Sequence, residues 1–116
     1  MSQSRGSSGP AIPRGEVWLA ALDPTIGSEI QKTRPCLIVS PPEMNDRLPT
    51  VIAAPMTTGN RPAPSRIPVR FQGRSGFILL EQIRALDKRR LVQPLGTIGR
   101  DTLSRTLATL REMFEE

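Results

Sequence analysis

The sequence predicts a mainly β protein with a C-terminal α-helix, an α+β chain folded as a small, curved antiparallel sheet or barrel. Three observations support this fold class. Short apolar runs of strand length, separated by breaks rich in proline, glycine and polar residues, recur through residues 16–98. Leucines then recur at helical spacing near the C-terminus. The length of 116 residues fits one domain, and 37% hydrophobic residues are enough for one modest core.

The N-terminal part of the chain contains a tail, a first strand and a long loop. Residues 1–13 are rich in Ser, Gly and Pro and lack an apolar period, so we expect a disordered tail before a single domain at 14–116. Glu16–Leu22 is the first expected strand. About a dozen loop residues follow, more than the roughly 2–6 usual for a connection, and loops of this length are often functional.

The middle of the chain contains the remaining expected strands. Two continuously apolar runs, 35–40 and Thr50–Met56, are typical of strands that are buried on both faces. Residues 66–71 alternate like a half-exposed strand, and Pro68 favours an edge or a bulge there. The later segments are expected to be a strand at 76–82, a short helical or turn segment at 83–91 and a last strand at 92–98.

The last element is expected to be an amphipathic helix. Its apolar stripe would consist of Leu103, Leu107, Leu110 and Phe114, which recur at helical spacing. Asp101 suits the positive N-terminal end of the helix dipole. Together with five or six short strands, this helix gives the curved sheet described above.

The chain is strongly basic, with a net charge of +5. All its basic residues are arginines apart from Lys32 and Lys88. The planar guanidinium group is suited to phosphate, so this composition favours an anionic partner such as nucleic acid or an acidic protein. Because aromatic residues make up only 3% of the chain, RNA binding would depend on phosphate contacts and base-edge hydrogen bonds more than on stacking.

The residues that the chain lacks exclude several classes of site. There is no histidine, which removes Ser-His and Cys-His nucleophile pairs and mixed Cys/His zinc sites. The one cysteine, Cys36, excludes an internal disulfide and is expected to be a small core residue, and Trp18 is expected to serve in packing. No apolar run approaches the roughly 20 residues of a membrane span, and no signal segment begins the chain, so we expect a cytoplasmic protein.

Three polar clusters lie where apolar strands begin or end. Taken singly, each fits an ordinary turn or strand end, because loops are solvated. Since strand ends converge in a small sheet, the three clusters could line one rim. They comprise Glu29, Lys32 and Arg34 before the second strand, Thr57 and Thr58 after the third, and Glu81, Gln82 and Arg84 after the fifth.

Such a rim could cleave RNA by using the 2′-hydroxyl of the RNA itself as the nucleophile, a reaction that needs no metal and no cofactor. Arg34 could stabilise charge on the phosphorane, and Pro35 would restrict Arg34 to extended conformations. Thr57 could donate a hydrogen bond to a phosphate oxygen. Glu29 or Glu81 could act as the base if its pKa were raised.

Several runs of the sequence resemble the MazF/PemK family of toxin ribonucleases from type II toxin–antitoxin systems. They are RGEVWLAALDP, GSE, RPCLIVS, PMTT and ILLEQIRALDKRRL, and the resemblance covers about residues 14–114. It implies a MazF/PemK/CcdB-like barrel, a homodimer and a cognate MazE-like antitoxin. It also implies metal-independent, sequence-specific cleavage of single-stranded RNA, with 2′,3′-cyclic phosphate and 5′-hydroxyl products.

The resemblance also implies roles for individual residues. The family's catalytic arginine and threonine correspond to Arg34 and Thr57, and its acidic positions correspond to Glu29 and Glu81. Further RNA contacts are expected from Ser28, Gln31, Lys32, Thr58, Gln82 and Arg84. The loop Thr25–Thr33 would then cover the RNA groove.

The chain departs from the family pattern at two points. PemK-type members have an arginine two residues before the position of Glu81, where this chain has Leu79, and some members use a histidine that is missing here. These departures leave the general base open. Two other functions also remain open: a non-catalytic toxin of the same fold that poisons a protein such as DNA gyrase, and a nucleic-acid-binding regulator without catalysis.

Overall fold

A computed structural model describes residues 11–22, 33–59 and 61–116 of the chain. Within these ranges there are seven strands, two α-helices and two single 3₁₀ turns. The strands are β1 (Glu16–Ala21), β2 (Thr33–Ile38), β3 (Thr50–Thr57), β4 (Arg66–Phe71), β5 (Arg74–Leu79), β6 (Arg84–Asp87) and β7 (Leu91–Thr97). The helices are α1 (Pro42–Arg47) and α2 (Arg100–Met113), and the 3₁₀ turns are Leu80–Gln82 and Lys88–Arg90.

All strand pairs are antiparallel, in the order β4-β5-β3-β2-β1-β7, and β6 pairs with β3 beside this path. The expected fold class, a curved antiparallel sheet with a C-terminal helix, is confirmed. β3 changes its pairing partner along its length. Its first half, from Thr50 to Ala53, pairs with β6, whereas Met56 and Thr57 pair with β5. Pro55, which has no N–H to donate, lies between the two halves.

The core consists of two apolar clusters on opposite faces of the central strands. The helix-side cluster contains Val17, Leu37, Val39, Ala54, Met56, Ile67, Ile78, Leu80 and Ile98. The opposite cluster contains Ile12, Trp18, Ala20, Leu22, Cys36, Ile38, Val51, Ala53 and Leu86. Consecutive residues of β2 therefore pack into different clusters. The expectation that this strand is buried on both faces is confirmed.

Cys36 and Trp18 are both core residues, as predicted. Cys36 is fully buried, and desolvation raises the pKa of its thiol to about 12 despite the opposing positive charges of Arg84 and Arg34. The indole Nε1 of Trp18 donates a hydrogen bond of 2.9 Å to Oε1 of Glu16, so its polar atom has a partner although the ring is buried.

Two segments differ from the sequence prediction. Residues 83–91, expected to be helical or a turn, contain β6 before the second 3₁₀ turn. Only Leu86 of this strand is buried, and four residues are too few to show a period of two. The predicted break between β2 and β3 contains α1, which begins with Pro42 at its first turn, a position that proline favours.

The terminal helix packs on the helix-side cluster through Leu103 and Leu110. Phe114 was expected in the same apolar stripe, and this prediction is wrong: the helix ends at Met113 and Phe114 is 73% exposed. The sequence pattern also did not predict that Thr106 is a core residue, and it is fully buried. Its hydroxyl donates a hydrogen bond of 2.8 Å to the carbonyl of Thr102, which makes its burial tolerable.

The packed part of the chain begins before residue 14, the predicted start of the domain. Ile12 is buried in the opposite cluster, and its carbonyl accepts a hydrogen bond of 2.7 Å from Nδ2 of the buried Asn45. Oγ of Ser40 donates to Oδ1 of Asn45 at 2.5 Å, so the amide is held at both ends. No helix in the described ranges is long and apolar enough to span a membrane.

Candidate active site

A cleft of about 650 Å³ lies at the edge of the sheet where β2 begins and β3 ends. β2 contributes Thr33, Arg34 and Pro35 to its lining, and β3 contributes Met56 and Thr57, which are followed by Thr58. The remaining lining residues come from the hairpin of β4 and β5. Three of the residues expected from the sequence, Arg34, Thr57 and Thr58, thus lie in one cleft.

Arg34 and Thr57 are brought together by the register of two antiparallel strands. The ladder between β2 and β3 runs from Ile38↔Ala53 to Cys36↔Pro55. Arg34 and Thr57 lie two residues beyond its last pair, near the ends of the two strands, and both line the cleft. On its other side Arg34 pairs with Ala20 of β1, so strand pairing fixes the backbone that carries the guanidinium.

The backbone around Thr57 is constrained by Gly76 of β5. A β-carbon at residue 76 would overlap the carbonyl oxygen of Thr57, so only glycine allows the two strands to approach this closely. The hydroxyl of Thr57 donates to the carbonyl of Thr58 at 3.2 Å, a long hydrogen bond that a better acceptor can replace. An isolated glycine in a strand pattern often marks such a close approach, and this signal was present in the sequence.

The hairpin of β4 and β5 forms the far wall of the cleft. Its two turn residues, Gln72 and Gly73, have φ of 51° and 78°, and positive φ at both positions gives the two-residue turn a twist that matches the strands. The turn makes Phe71 and Arg74 a cross-strand pair. Nε2 of Gln72 donates to the carbonyl of Leu95 at 3.2 Å and fixes the tip of the hairpin against β7.

Sequence reasoning did not identify this wall. Its cleft-lining residues are Val69, Phe71, Gln72, Arg74 and Gly76. They lie near β2 only because β3 changes its pairing partner from β6 to β5 along its length. No local sequence pattern indicates such a change. A Gln-Gly pair between two strand patterns was the available signal for a tight hairpin, and it is weaker than Asn-Gly.

The cleft is positively charged. Among the lining residues that the structure describes, the ionisable side chains are Arg34 and Arg74, and there is no carboxylate. Neither guanidinium has a hydrogen bond or a salt bridge to another described residue, whereas Arg66 and Arg89 are paired with Glu81 and Asp87. Among the described residues, neither cleft arginine is thus engaged by a carboxylate, and the planar guanidinium group is suited to an anion.

Glu81 is not part of the cleft lining. Its Oε1 accepts a hydrogen bond of 2.8 Å from Ser65, and its Oε2 accepts one of 3.0 Å from Nε of Arg66. Nη2 of Arg66 lies 2.9 Å from the same oxygen in a salt bridge. Desolvation acts to raise the pKa of Glu81, but the hydrogen bonds from Arg66 and Ser65 outweigh it and the pKa is lowered. Glu81 therefore has a structural role as the partner of Arg66 and Ser65, outside the cleft lining.

That role is to fix the segment that leads into β4. Besides contacting Glu81, Arg66 donates from Nη1 to the carbonyl of Arg61 at 3.0 Å. The carboxylate therefore organises the end of the connection that starts at Thr58, beside the cleft.

The other candidate residues from the sequence lie elsewhere. Gln82 ends the first 3₁₀ turn and Arg84 pairs with Ala53 at the start of β6; both are exposed and neither lines the cleft. Four candidates, Ser28, Glu29, Gln31 and Lys32, lie outside the described residues. Most of the expected cover loop Thr25–Thr33 also lies outside them. Over the described ranges, no group of three His, Cys, Asp or Glu residues is placed to hold a metal ion.

Comparison with known proteins identifies the family. A family model described as "PemK-like, MazF-like toxin of type II toxin-antitoxin system" matches residues 13–114. This chain belongs to that toxin family. It is also similar to Endoribonuclease MazF of Staphylococcus epidermidis, with 41% identity over 90 residues, which cover 72% of this chain and 75% of the relative.

Solved MazF structures share the fold. MazF from Deinococcus radiodurans superposes with a TM-score of 0.76 at 25% identity, over 90% of this chain and 97% of that one. A mycobacterial endoribonuclease in complex with its cognate antitoxin superposes with a TM-score of 0.73 at 25% identity, over 88% and 93% of the two chains. The MazF-like toxin chain described here thus keeps the family architecture over nearly its whole length.

Proposed function

We propose that this toxin is a metal-independent endoribonuclease that cleaves single-stranded RNA at a short recognition sequence. The observation that carries the proposal is that Arg34 and Thr57 line one cleft whose described ionisable groups are cationic. Membership of the MazF-like family and the similarity to an endoribonuclease of Staphylococcus epidermidis support it.

In the proposed reaction, the 2′-oxygen of the RNA attacks the adjacent phosphorus while the bond from phosphorus to the 5′-oxygen breaks. The products are a 2′,3′-cyclic phosphate and a 5′-hydroxyl, since the proton lost from the 2′-hydroxyl is balanced by one gained at the leaving 5′-oxygen. The guanidinium of Arg34 stabilises the negative charge on the equatorial phosphorane oxygens. The hydroxyl of Thr57 turns from the carbonyl of Thr58 and donates to one of these oxygens.

The base that accepts the 2′-hydroxyl proton is a separate part of the proposal. Glu81 is held by Arg66 and Ser65 away from the cleft lining, with a lowered pKa. Of the two carboxylates considered from the sequence, this leaves Glu29, in the loop that would cover the groove. Ser28, Gln31 and Lys32 of the same loop remain proposed RNA contacts.

The proposal extends to partners and context. The toxin would act as a homodimer in the cytoplasm, where RNA is accessible. Each protomer would consist of the single domain at residues 14–116, extended to Ile12 because that residue packs into the core. A cognate, MazE-like antitoxin would be an acidic, partly disordered chain that covers the basic cleft. The mycobacterial relative, whose structure contains its cognate antitoxin, supports this partner class.

One experiment tests the chemistry directly. The purified protein is incubated with a long single-stranded RNA in excess EDTA, and the new 5′ ends are mapped by their ability to accept phosphate from a kinase without prior phosphatase treatment. We expect discrete cleavage sites with 5′-hydroxyl ends. Cleavage that stops in EDTA and returns with added Mg²⁺ would contradict the metal-independent mechanism, and intact RNA under all conditions would contradict the enzyme assignment.

A further inference from the structure

The far wall of the cleft, formed by the hairpin of β4 and β5, contains the positively charged residue Arg74. Arg74 is the first residue of β5 and pairs across the hairpin with Phe71, so the two side chains leave the sheet on the same face. Val69 and Phe71 of that face pack against the helix-side cluster, and both line the cleft together with Arg74. The sequence alone did not single out Arg74.

The lining of the cleft also contains apolar residues. Met56 and Val69 line it along with the ring of Phe71, and Gly76 contributes no side chain. A cleft lined by two arginines, an aromatic ring and aliphatic side chains matches the phosphates and base faces of a nucleic acid strand. The volume of about 650 Å³ is within the range of about 300–1,000 Å³ that small-molecule ligand sites occupy.

We propose that Arg74 binds the RNA phosphate next to the scissile phosphate held by Arg34, with the intervening base over Phe71. The inference rests on the proposed function for its substrate, single-stranded RNA. Arg74 is a substrate-positioning residue: it fixes where the strand lies and does not take part in proton transfer. Its guanidinium has no salt bridge or hydrogen bond to another residue within the described part of the chain.

The hairpin offers a matched control in Arg70. It is on the adjacent strand, pairs with Ser75 and has the same charge as Arg74. Because side chains alternate along a strand, it leaves the sheet on the face opposite to Phe71, is exposed, and does not line the cleft. Removal of either arginine changes the net charge equally, so a difference between the two variants reports the cleft contact.

The test measures binding without turnover. Fluorescence anisotropy gives the Kd of the full chain for a labelled, single-stranded 2′-O-methyl RNA, which cannot react, at several salt concentrations. We expect Arg74→Ala to weaken binding about tenfold or more, as for a lost hydrogen-bonded charge contact. Its slope of log K against log salt should fall in magnitude by about 0.7, the value for one phosphate contact on a single strand. Arg70→Ala should change the Kd less than about threefold and leave the slope unchanged.

Equal effects of Arg74→Ala and Arg70→Ala, or no effect of Arg74→Ala, would overturn the inference. Arg74→Lys provides a second check, because it should keep most of the salt slope while it loses part of the affinity. Circular dichroism confirms that each variant is folded. Since the oligonucleotide is not cleaved, the result does not depend on catalysis, and failure of the wild type to cut RNA would count against the proposed function alone.

Discussion

The backbone of Gly76 lies against the carbonyl oxygen of Thr57, at a separation that leaves no room for a β-carbon. This contact joins the β5 wall of the cleft to the end of β3, and it constrains the backbone that carries the threonine hydroxyl. Residue 76 therefore constrains the backbone at one member of the proposed catalytic pair, to which it contributes no side chain.

Gly76→Ala is expected to reduce RNA cleavage at least tenfold because the new methyl group displaces the backbone at Thr57. Overpacking of this kind also costs about 1–3 kcal/mol of stability, so cleavage is measured well below the midpoint of thermal unfolding. Gly99→Ala is the matched control: a β-carbon there has open space and φ is −66°. Wild-type activity in Gly76→Ala would show that the close approach does not set the site.

Arg34→Ala is expected to lower the single-turnover rate of cleavage by about 10²–10³, the usual cost of removing one preorganised donor to a developing oxyanion. Its unfolding midpoint should stay close to that of the wild type because Arg34 is exposed and its guanidinium has no hydrogen bond within the described ranges. Gel-based kinetics and thermal unfolding measure the two quantities. Full activity in this variant would contradict the assigned role of Arg34.

Thr57→Val keeps the shape of the side chain and removes the hydroxyl. We expect the cleavage rate to fall at least tenfold, with a change in unfolding free energy below about 1 kcal/mol, since the long hydrogen bond to the Thr58 carbonyl contributes little. Thr97→Val, at the exposed end of β7, is the control. A Thr57→Val variant that unfolds but cleaves normally when stabilised would indicate a structural threonine.

Glu81→Gln is expected to retain cleavage within a few-fold of wild type, because Glu81 binds Arg66 and does not line the cleft. The folded protein lowers the pKa of Glu81 from its ordinary value of 4.5, so its ionised form stabilises the fold above that pH. The difference in stability between wild type and Glu81→Gln should therefore be full at pH 7 and shrink as the pH falls below 4.5.

Urea denaturation at pH 7 and at pH 3 measures this difference, with Glu112→Gln as a control in which the carboxylate is exposed and has no ion pair among the described residues. If Glu81→Gln abolishes cleavage at full stability, Glu81 is catalytic after all. If the stability difference grows on acidification, the sign of the pKa shift is wrong.

Part of the fold could be predicted because it depends on local patterns. The runs at 35–40 and Thr50–Met56 are long enough to show burial on both faces, and the structure places β2 and β3 in these regions. β6 could not be predicted, since its four residues carry a single buried side chain. Phe114 has the right spacing for the helical stripe, but the helix ends one residue before it, so no helix turn directs its ring to the core.

The cleft was predictable in part for a related reason. Arg34 and Thr57 are each next to an apolar strand, and pairing of consecutive strands brings them together. The opposite wall depends on β3 changing its partner from β6 to β5 on either side of Pro55, which is a long-range property. Arg74 and Phe71 enter the cleft through that exchange, so sequence patterns alone gave them no functional signal.

The burial of Cys36 has a practical consequence for spectroscopy. It is the chain's one cysteine, it is fully buried, and desolvation raises the pKa of its thiol to about 12, so we expect maleimide reagents to react with it slowly in the folded protein. A cysteine introduced on the hairpin, for example Ser75→Cys, would then carry a fluorophore or spin label at one defined position without removal of Cys36. The native sequence is thus already a background for a single-site label on the hairpin that reports the binding of RNA or an antitoxin.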